Sequence, residues 1–160
     1  MNLVEPVFDP NPTGACEANA QCVVAAAYDA IRCHYVEGRH QIAAAILADD
    51  GRIYVGLHME AMVGCYSLCA ERAALAQAAL YGASGLVAVA AVRFPKSSEG
   101  GPARIVSPCG GCRELVSDYA PGIQVVVSRA GRGLLVPMAE LLPDKYVGTK
   151  WATPPTDHPQ

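Results

Sequence analysis

The spacing of apolar residues changes several times along the chain, and each spacing predicts a different element. From about Ala15 to Tyr35 apolar residues recur every three or four positions, which is typical of an amphipathic helix. Residues 41–48 form a short apolar run, and residues 52–57 alternate as a half-buried strand does. The segment Asp49-Asp50-Gly51 between them favours a tight turn because Asp and Gly tolerate positive φ. We therefore predict a first helix followed by a β-hairpin over residues 41–57.

Helical and strand patterns alternate through the rest of the chain. Residues 69–81 are rich in Ala, Leu, Glu and Gln and end before a glycine, which favours a helix with a glycine cap. A buried strand is predicted at 86–94, a second helix at about 110–119, strands at 123–128 and 134–136, and a short helix at 138–142. This order predicts an α/β fold, with helices packed on a mixed sheet.

The chain length of 160 residues predicts a single domain over residues 1–160. Residues 1–14 and 152–160 are rich in proline and are predicted to be a flexible arm and a flexible tail. No apolar run has the length of a membrane span, and the first residues lack a secretory pattern, so a cytoplasmic location without a membrane partner is expected. A net charge of −3 with scattered Lys and Arg argues against a nucleic-acid polymer and favours a small-molecule substrate.

Three cysteines have the spacing of metal ligands. In a reducing compartment, seven cysteines are more typical of metal ligands and buried thiols than of disulfides. Cys69 begins one predicted helix. Cys109 and Cys112 are three residues apart at the start of another predicted helix, so their sulfurs lie on the same side of its first turn. Three thiolates suit tetrahedral Zn²⁺ and leave one position open, as in catalytic sites. We predict one Zn²⁺ per chain.

Two charged side chains follow Cys69 directly. Glu71 is predicted to be the catalytic residue, because a carboxylate there can take a proton from water at the open position and give it to a leaving amine. Arg72 is predicted to donate to the sulfurs, because three thiolates on one Zn²⁺ leave a negative charge that needs compensation.

Other interpretations of the cysteines stay open at this point. Cys65 could join the three to make a closed structural zinc site, and the Cys-x-x-Cys pair alone could be a redox centre. A non-catalytic zinc-binding protein is a further alternative. Cys16, Cys22 and Cys33 are predicted to be small buried hydrophobic residues of the first helix.

The motifs Cys-Ala-Glu-Arg at 69–72, Ser-Pro-Cys-Gly-Gly-Cys-Arg at 107–113 and Glu-Leu-Leu-Pro-Asp-Lys-Tyr at 140–146 resemble the cytidine deaminase family, including its blasticidin S deaminase-like members. The resemblance runs from about residue 23 to residue 151. It implies a three-layer α/β/α sandwich around a mixed five-stranded sheet. It also implies hydrolytic deamination of a cytosine-type nucleoside, as in pyrimidine salvage, by a homotetramer or dimer with sites at subunit boundaries.

The resemblance also implies a set of substrate contacts: Glu60 and His58 at the sugar, the Ala70 amide at a ring carbonyl, the Ser107 carbonyl at the amino group, and His40 and Tyr146 at the pocket wall. Core packing is the alternative for Tyr146, and a surface position is the alternative for His58. His58 stands where the family has Asn, His40 where it has an aromatic residue, and Gly64 where Tyr is common. These departures leave the substrate open between cytidine or deoxycytidine and another amino-heterocycle such as blasticidin S.

Overall fold

Helices and strands alternate along residues 15–151, the part of the chain that the computed structural model describes, with side chains described for residues 17–150. The elements are α1 (Ala15–His34), β1 (Ile42–Ala48), β2 (Ile53–Leu57), α2 (Ala70–Leu80), β3 (Leu86–Arg93), β4 (Arg104–Val106), α3 (Gly110–Tyr119), β5 (Gln124–Arg129), β6 (Arg132–Pro137) and α4 (Met138–Leu141), with 3-10 turns at Gly64–Tyr66 and Thr149–Trp151. The predicted arm, the predicted tail and the side chain of Cys16 lie outside the described residues. None of the described helices combines the length and the apolar character that crossing a membrane requires.

One mixed sheet forms the middle of the fold, in the order β2-β1-β3-β5-β6. β3 and β5 are parallel, and the other neighbours are antiparallel. This five-strand path confirms the predicted mixed sheet, and the predicted hairpin is confirmed by the pairing of β1 with β2 around Gly51, whose φ is 83°. A sixth strand, β4, was not predicted. It is only three residues long and pairs with the end of β3, opposing Arg104 to Arg93.

The two faces of the sheet pack against different helices, as the alternation of side chains in a strand requires. Ala43, Ala45 and Leu47 of β1 belong to an apolar cluster with α1. Ala44 and Ile46 of the same strand belong to a second cluster with α2 and α3. The α/β/α sandwich is therefore confirmed, and the helices that begin at the candidate metal ligands share one layer.

β2 and α2 touch through their backbones at Gly56. A Cβ atom built on Gly56 would fall on the backbone of Ala70 and Ala74 and would lie 2.7 Å from the carbonyl carbon of Ala73. Only glycine permits this approach, which is a common reason for glycine inside a strand. The contact seats the first turns of α2, and hence the residues that follow Cys69, directly on the sheet.

A side chain of α2 also covers the open edge of the sheet. β2 is an edge strand, and the Val55 amide in its middle donates to Gln77 Oε1 at 2.8 Å. The hydrogen bond satisfies a backbone donor that no neighbouring strand reaches and ties the helix to the strand.

Two of the predicted buried cysteines are exposed. Cys22 and Cys33 lie on α1, whose buried stripe consists of Val23, Ala27 and Ile31. Successive helical residues are rotated by about 100°, so both thiols fall beside the stripe and face solvent. The prediction that they are core residues is wrong.

Candidate active site

Two helices of the same layer begin with a cysteine. Cys69 and Cys109 are the N-cap residues of α2 and α3, with extended backbones and no hydrogen bond from the thiol to the helix. The thiols turn instead toward each other, with the Sγ atoms of Cys69 and Cys109 3.7 Å apart and those of Cys109 and Cys112 3.5 Å apart. All three sulfurs lie within 4.8 Å of one another. The structure therefore brings together the three predicted ligands.

The sulfur cluster fits a zinc ion. With Zn–S distances of about 2.3 Å, tetrahedral geometry separates two sulfurs by about 3.8 Å. Within residues 17–150, no other group of three His, Cys, Asp or Glu side chains converges in this way. Cys65 is exposed in the 3-10 turn and stands outside the group, so the closed four-cysteine alternative has no support here.

The thiols are in an environment that needs a cation when they ionise. Burial raises the pKa of the Cys69 thiol, and burial together with the negative charge of Glu71 raises the pKa of the Cys112 thiol. Burial acts in the same direction on Cys109, but its hydrogen bonds with the backbone and thiol of Cys112 and with the thiol of Cys69 outweigh burial and lower the pKa of Cys109. A metal ion held by these three residues would supply the positive charge that three thiolates require.

Glu71 is 6% exposed and is the only buried charged residue among residues 17–150. Burial raises the pKa of its carboxyl group. Hydrogen bonds with its own backbone amide and with the Cys112 thiol, and the charges of Arg72 and His58, lower the pKa and offset part of this increase. A raised pKa suits a carboxyl group that must take up and release a proton near neutral pH. The contact with Cys112 places this carboxyl group at the sulfur cluster.

Arg72 lies on the turn between the two ligands of α3. A Cβ atom on Gly111 would collide with Arg72 Nη2 and would lie 3.3 Å from Arg72 Cζ, so the guanidinium occupies the space that glycine leaves. The Nε atom of Arg72 is buried and has no hydrogen-bond partner among the described residues. The role of Arg72 as a donor to the sulfurs stays a prediction, in which a thiolate would be the acceptor that this atom lacks.

Arg113 also stabilises the turn that contains Cys109 and Cys112, and sequence reasoning missed this residue. Its Nε atom donates to the Pro108 carbonyl and its Nη1 atom donates to the Leu141 carbonyl, both at 2.9 Å. The first bond fixes the residue that precedes Cys109, and the second ties this turn to the end of α4. The sequence did contain a signal for this role: a long, positively charged side chain directly after Cys112, in the first turn of a predicted helix.

The predicted sugar-binding residues form a hydrogen-bonded group at the end of β2. His58 Nε2 lies 3.6 Å from Glu60 Oε2, and His40 Nδ1 donates to the His58 carbonyl at 2.9 Å. His58 Nδ1 is buried and has no hydrogen-bond partner within the described part of the chain. Ser67, which was not predicted, donates to Glu60 Oε1 at 2.8 Å and accepts from the Ala61 amide at 3.1 Å. Glu60 therefore has a fixed orientation, and His58 keeps a free ring nitrogen.

The other predicted contact residues occupy different surroundings. Ala70 is buried in the first turn of α2, directly after Cys69, where backbone amides have no partner within the helix. Ser107 is exposed between β4 and Pro108. Tyr146 is 84% exposed, so within a single chain it closes no pocket and is not a core residue.

Comparisons with known proteins agree with this geometry. Residues 17–128 match the family model described as the cytidine and deoxycytidylate deaminase zinc-binding region. A blasticidin-S deaminase of Bacillus cereus is 38% identical over 125 residues, which cover 78% of this chain and 89% of that protein. A cytidine deaminase of Sporosarcina psychrophila is 34% identical over 107 residues, covering 66% of this chain and 74% of that one.

A solved structure of a cytidine deaminase from Burkholderia pseudomallei has the same fold. It aligns with a TM-score of 0.64 and 27% identity, and the alignment covers 79% of this chain and 98% of that one. The family model spans more than half of the chain and includes all three clustered cysteines and Glu71. The chain therefore belongs to the zinc-binding family of cytidine and deoxycytidylate deaminases.

Proposed function

We propose that this protein is a zinc-dependent hydrolytic deaminase that converts a cytosine-type nucleoside to its uracil form and releases ammonia. The observation that carries the proposal is the convergence of three thiols on one point beside a buried carboxyl group, Glu71. Three ligands leave a fourth position for water, which distinguishes a catalytic zinc site from a structural one.

Each residue of the site has a defined task in this reaction. Cys69, Cys109 and Cys112 would hold Zn²⁺, which would supply the Lewis acidity that lowers the pKa of the attacking water toward neutral pH. Glu71 takes one proton from the attacking water and delivers it to the ring nitrogen. It then takes the second proton, from the hydroxyl group formed on the ring carbon, and gives it to the amino group, which leaves as ammonia as the C–N bond breaks and the ring carbonyl forms. Burial favours the protonated carboxyl group, so Glu71 takes up a proton from water more readily than an exposed carboxylate does.

Two further groups of residues prepare the site and bind the substrate. Arg72 and Arg113 hold the turn that contains two of the ligands, and Arg72 also offsets their negative charge. Glu60 and the free ring nitrogen of His58 bind hydroxyl groups of the sugar, with His40 supporting His58. We assign the Ala70 amide to the ring carbonyl, the Ser107 carbonyl to the amino group, and Tyr146 to the site of a neighbouring subunit.

A cytosine-containing antibiotic of the blasticidin S kind is the second candidate substrate. The specific observations that favour it are the 38% identity with a blasticidin-S deaminase and the presence of His58 at a position where Asn is expected. The imidazole of His58 and the carboxamide of an Asn differ in size and in hydrogen-bond pattern. A pocket with His at this position therefore prefers different substrates from a pocket with Asn.

The test is ammonia release and the loss of cytosine absorbance by zinc-loaded protein with cytidine, deoxycytidine and blasticidin S as separate substrates. Turnover of at least one substrate, and its loss by about 10²–10⁴-fold in Glu71→Gln, is the expected result. Glu140→Gln, at an exposed glutamate in α4, is the matched control and should keep full activity. A zinc-loaded sample that is inert on all three substrates would refute the proposal.

We further propose that the protein acts as a homo-oligomer, a tetramer or a dimer. Large apolar side chains are exposed together between β2 and α2, next to Glu60 and Cys69: Met59, Met62, Val63, Tyr66 and Leu68. Met62 is 99% exposed, and an apolar patch of this kind usually marks a protein interface. Light scattering of the wild type and of Met62→Glu tests this proposal, because a charge in the interface should shift the mass toward the monomer of 16.7 kDa.

The remaining expectations follow from the same site. We place the activity in the cytoplasm and in pyrimidine salvage, acting on free nucleosides. The net charge of −3 supports a small-molecule substrate over a nucleic-acid polymer or an anionic membrane surface.

A further inference from the structure

A cavity away from the sulfur cluster lies at the end of the sheet formed by β3, β4 and β5. It has a volume of about 410 Å³ and contains none of the residues assigned to deamination. This volume is within the range of sites for small organic molecules. Its polar lining residues are two arginines, one glutamate and one serine: Arg93, Arg104, Glu99 and Ser128. Pro95, Pro102 and Ile105 supply apolar surface.

The two arginines are placed against each other. Arg93 and Arg104 are directly opposite in the antiparallel pairing of β3 with β4. Residues opposite each other have Cβ atoms about 5 Å apart, and like charges at that distance destabilise a strand pair. Such an arrangement is favourable when an anion lies between the two side chains.

The protein itself neutralises only one of these charges. Glu99 Oε1 accepts from Arg93 Nη2 at 2.7 Å, and this hydrogen bond lowers the pKa of Glu99 to about 2. The side chain of Arg104 is exposed and forms no hydrogen bond or ion pair within the described part of the chain. The cavity therefore has one excess positive charge, located on Arg104.

The cavity wall is held in place before any ligand binds. Glu37, at the end of α1, accepts from the Ser97 hydroxyl at 2.9 Å, and Tyr35 donates to the Pro95 carbonyl at 3.1 Å. Residues 97–99 form a turn in which the Glu99 amide donates to the Lys96 carbonyl, and Gly100 and Gly101 follow with φ values of 63° and 86°, which favour glycine. A preformed wall reduces the entropy that a ligand must overcome on binding.

We propose that this cavity is a binding site for a small organic anion, in which Arg104 and Arg93 bind a carboxylate or phosphate group and the prolines and Ile105 contact an apolar body. A guanidinium pairs with either oxyanion through two parallel hydrogen bonds. Glu99 weakens anion binding, because its carboxylate pairs with Arg93 and repels the negative charge of the bound anion. The site is separate from the sulfur cluster, although β4 continues directly into Ser107 and Cys109.

The test is binding of inorganic phosphate and, separately, of benzoate to zinc-loaded, full-length protein at constant ionic strength. NMR shifts of the Gly100, Gly101 and Ser128 amides report on the cavity, and constant ionic strength keeps charge screening the same in every sample. At least one anion should bind saturably, with a dissociation constant on the order of millimolar. Phosphate and benzoate distinguish a phosphate ligand from a carboxylate with an apolar body.

Three variants separate a built site from general charge attraction. Arg104→Gln should weaken binding about tenfold, because it removes a charge-assisted pair. Glu99→Gln should tighten binding several-fold, about 2- to 5-fold, because it frees Arg93. Arg52→Gln removes the same charge at the opposite edge of the sheet, where Arg52 pairs with Asp50, and should change affinity by less than about twofold.

The opposite signs of Arg104→Gln and Glu99→Gln are the decisive result, because a merely structural effect of either change would weaken binding in both. Shifts that do not saturate with either anion would overturn the proposal. So would a loss of affinity in Arg52→Gln equal to that in Arg104→Gln. None of these measurements depends on turnover, so they stand or fall independently of the deaminase assignment.

Discussion

Replacing Gly56 with Ala should damage the metal centre although Gly56 touches no ligand. An added Cβ would lie 2.7 Å from the Ala73 carbonyl carbon and still closer to backbone atoms of Ala70 and Ala74. Ordinary van der Waals contact begins at 3.4 Å, so α2 must withdraw from β2 by at least about 0.7 Å. The atoms that would be displaced belong to the backbone of a helix, which cannot move aside as a flexible side chain can.

The magnitude follows from the cost of overpacking. Extra methyl groups in a well-packed interior cost about 1–3 kcal/mol, and a clash with helix backbone belongs at the upper end, about 2–3 kcal/mol. For a domain of this size the melting temperature should fall by about 4–12 °C. The displaced turn begins at Cys69 and contains Glu71, and a misplacement on the order of 1 Å can cost about 10²-fold in rate.

The assay compares Gly56→Ala with Gly122→Ala. A Cβ at Gly122 meets nothing within 4 Å, so this control adds the same methyl group without the clash. Thermal unfolding gives the stability change, and deamination rates at saturating zinc give the effect on the site. If Gly56→Ala melts within about 1 °C of Gly122→Ala and keeps its activity, the close contact between β2 and α2 is not what positions Cys69 and Glu71.

Other perturbations have equally definite outcomes. Arg72→Gln should weaken zinc binding about 10- to 100-fold in competition with a chromophoric chelator, because the thiolates lose their charge compensation, and Arg72→Lys should lose less. Cys65→Ser should retain one zinc per chain by elemental analysis, since its thiol is exposed outside the cluster, and loss of the metal would restore the four-cysteine alternative. The pKa of Glu99 is lowered to about 2, chiefly by the hydrogen bond from Arg93. The stability that this pair adds over Glu99→Gln should therefore be complete above about pH 5 and should disappear as the pH falls toward 2, and urea unfolding across this range would contradict the reasoning if the difference grew on acidification.

The centre of the site could be predicted from sequence because its geometry is local. Cys109 and Cys112 are one helical turn apart, and Glu71 is two residues from Cys69, so helix geometry alone places these groups near one another. The prediction that the N-termini of α2 and α3 meet came from the fold that the resemblance implied. The hairpin was predictable for the same reason, since Asp50 and Gly51 specify its turn.

Features that depend on residues distant in sequence were not predictable in this way. β4 exists because Ile105 and its neighbours pair with the end of β3, and three residues have no periodicity of their own. The space for the Arg72 guanidinium depends on Gly111, 39 positions later. The orientation of Glu60 depends on Ser67, which lies beyond the 3-10 turn of the same connection and has no periodic relation to Glu60. The exposed thiol of Cys22 was misjudged because composition treats cysteine as apolar, whereas the neighbouring Val23 already fills the buried stripe.

The hydrogen bond from the Val55 amide to Gln77 has a consequence for aggregation and assembly. An uncovered edge strand is a template onto which another chain can add a strand, and such growth has no natural end. Here the middle amide of β2 is already occupied by a side chain of the protein's own helix. Copies of this chain are thereby discouraged from joining sheet to sheet across β2, and association is directed to surfaces made of loops and helix ends, where a closed assembly of fixed size can form.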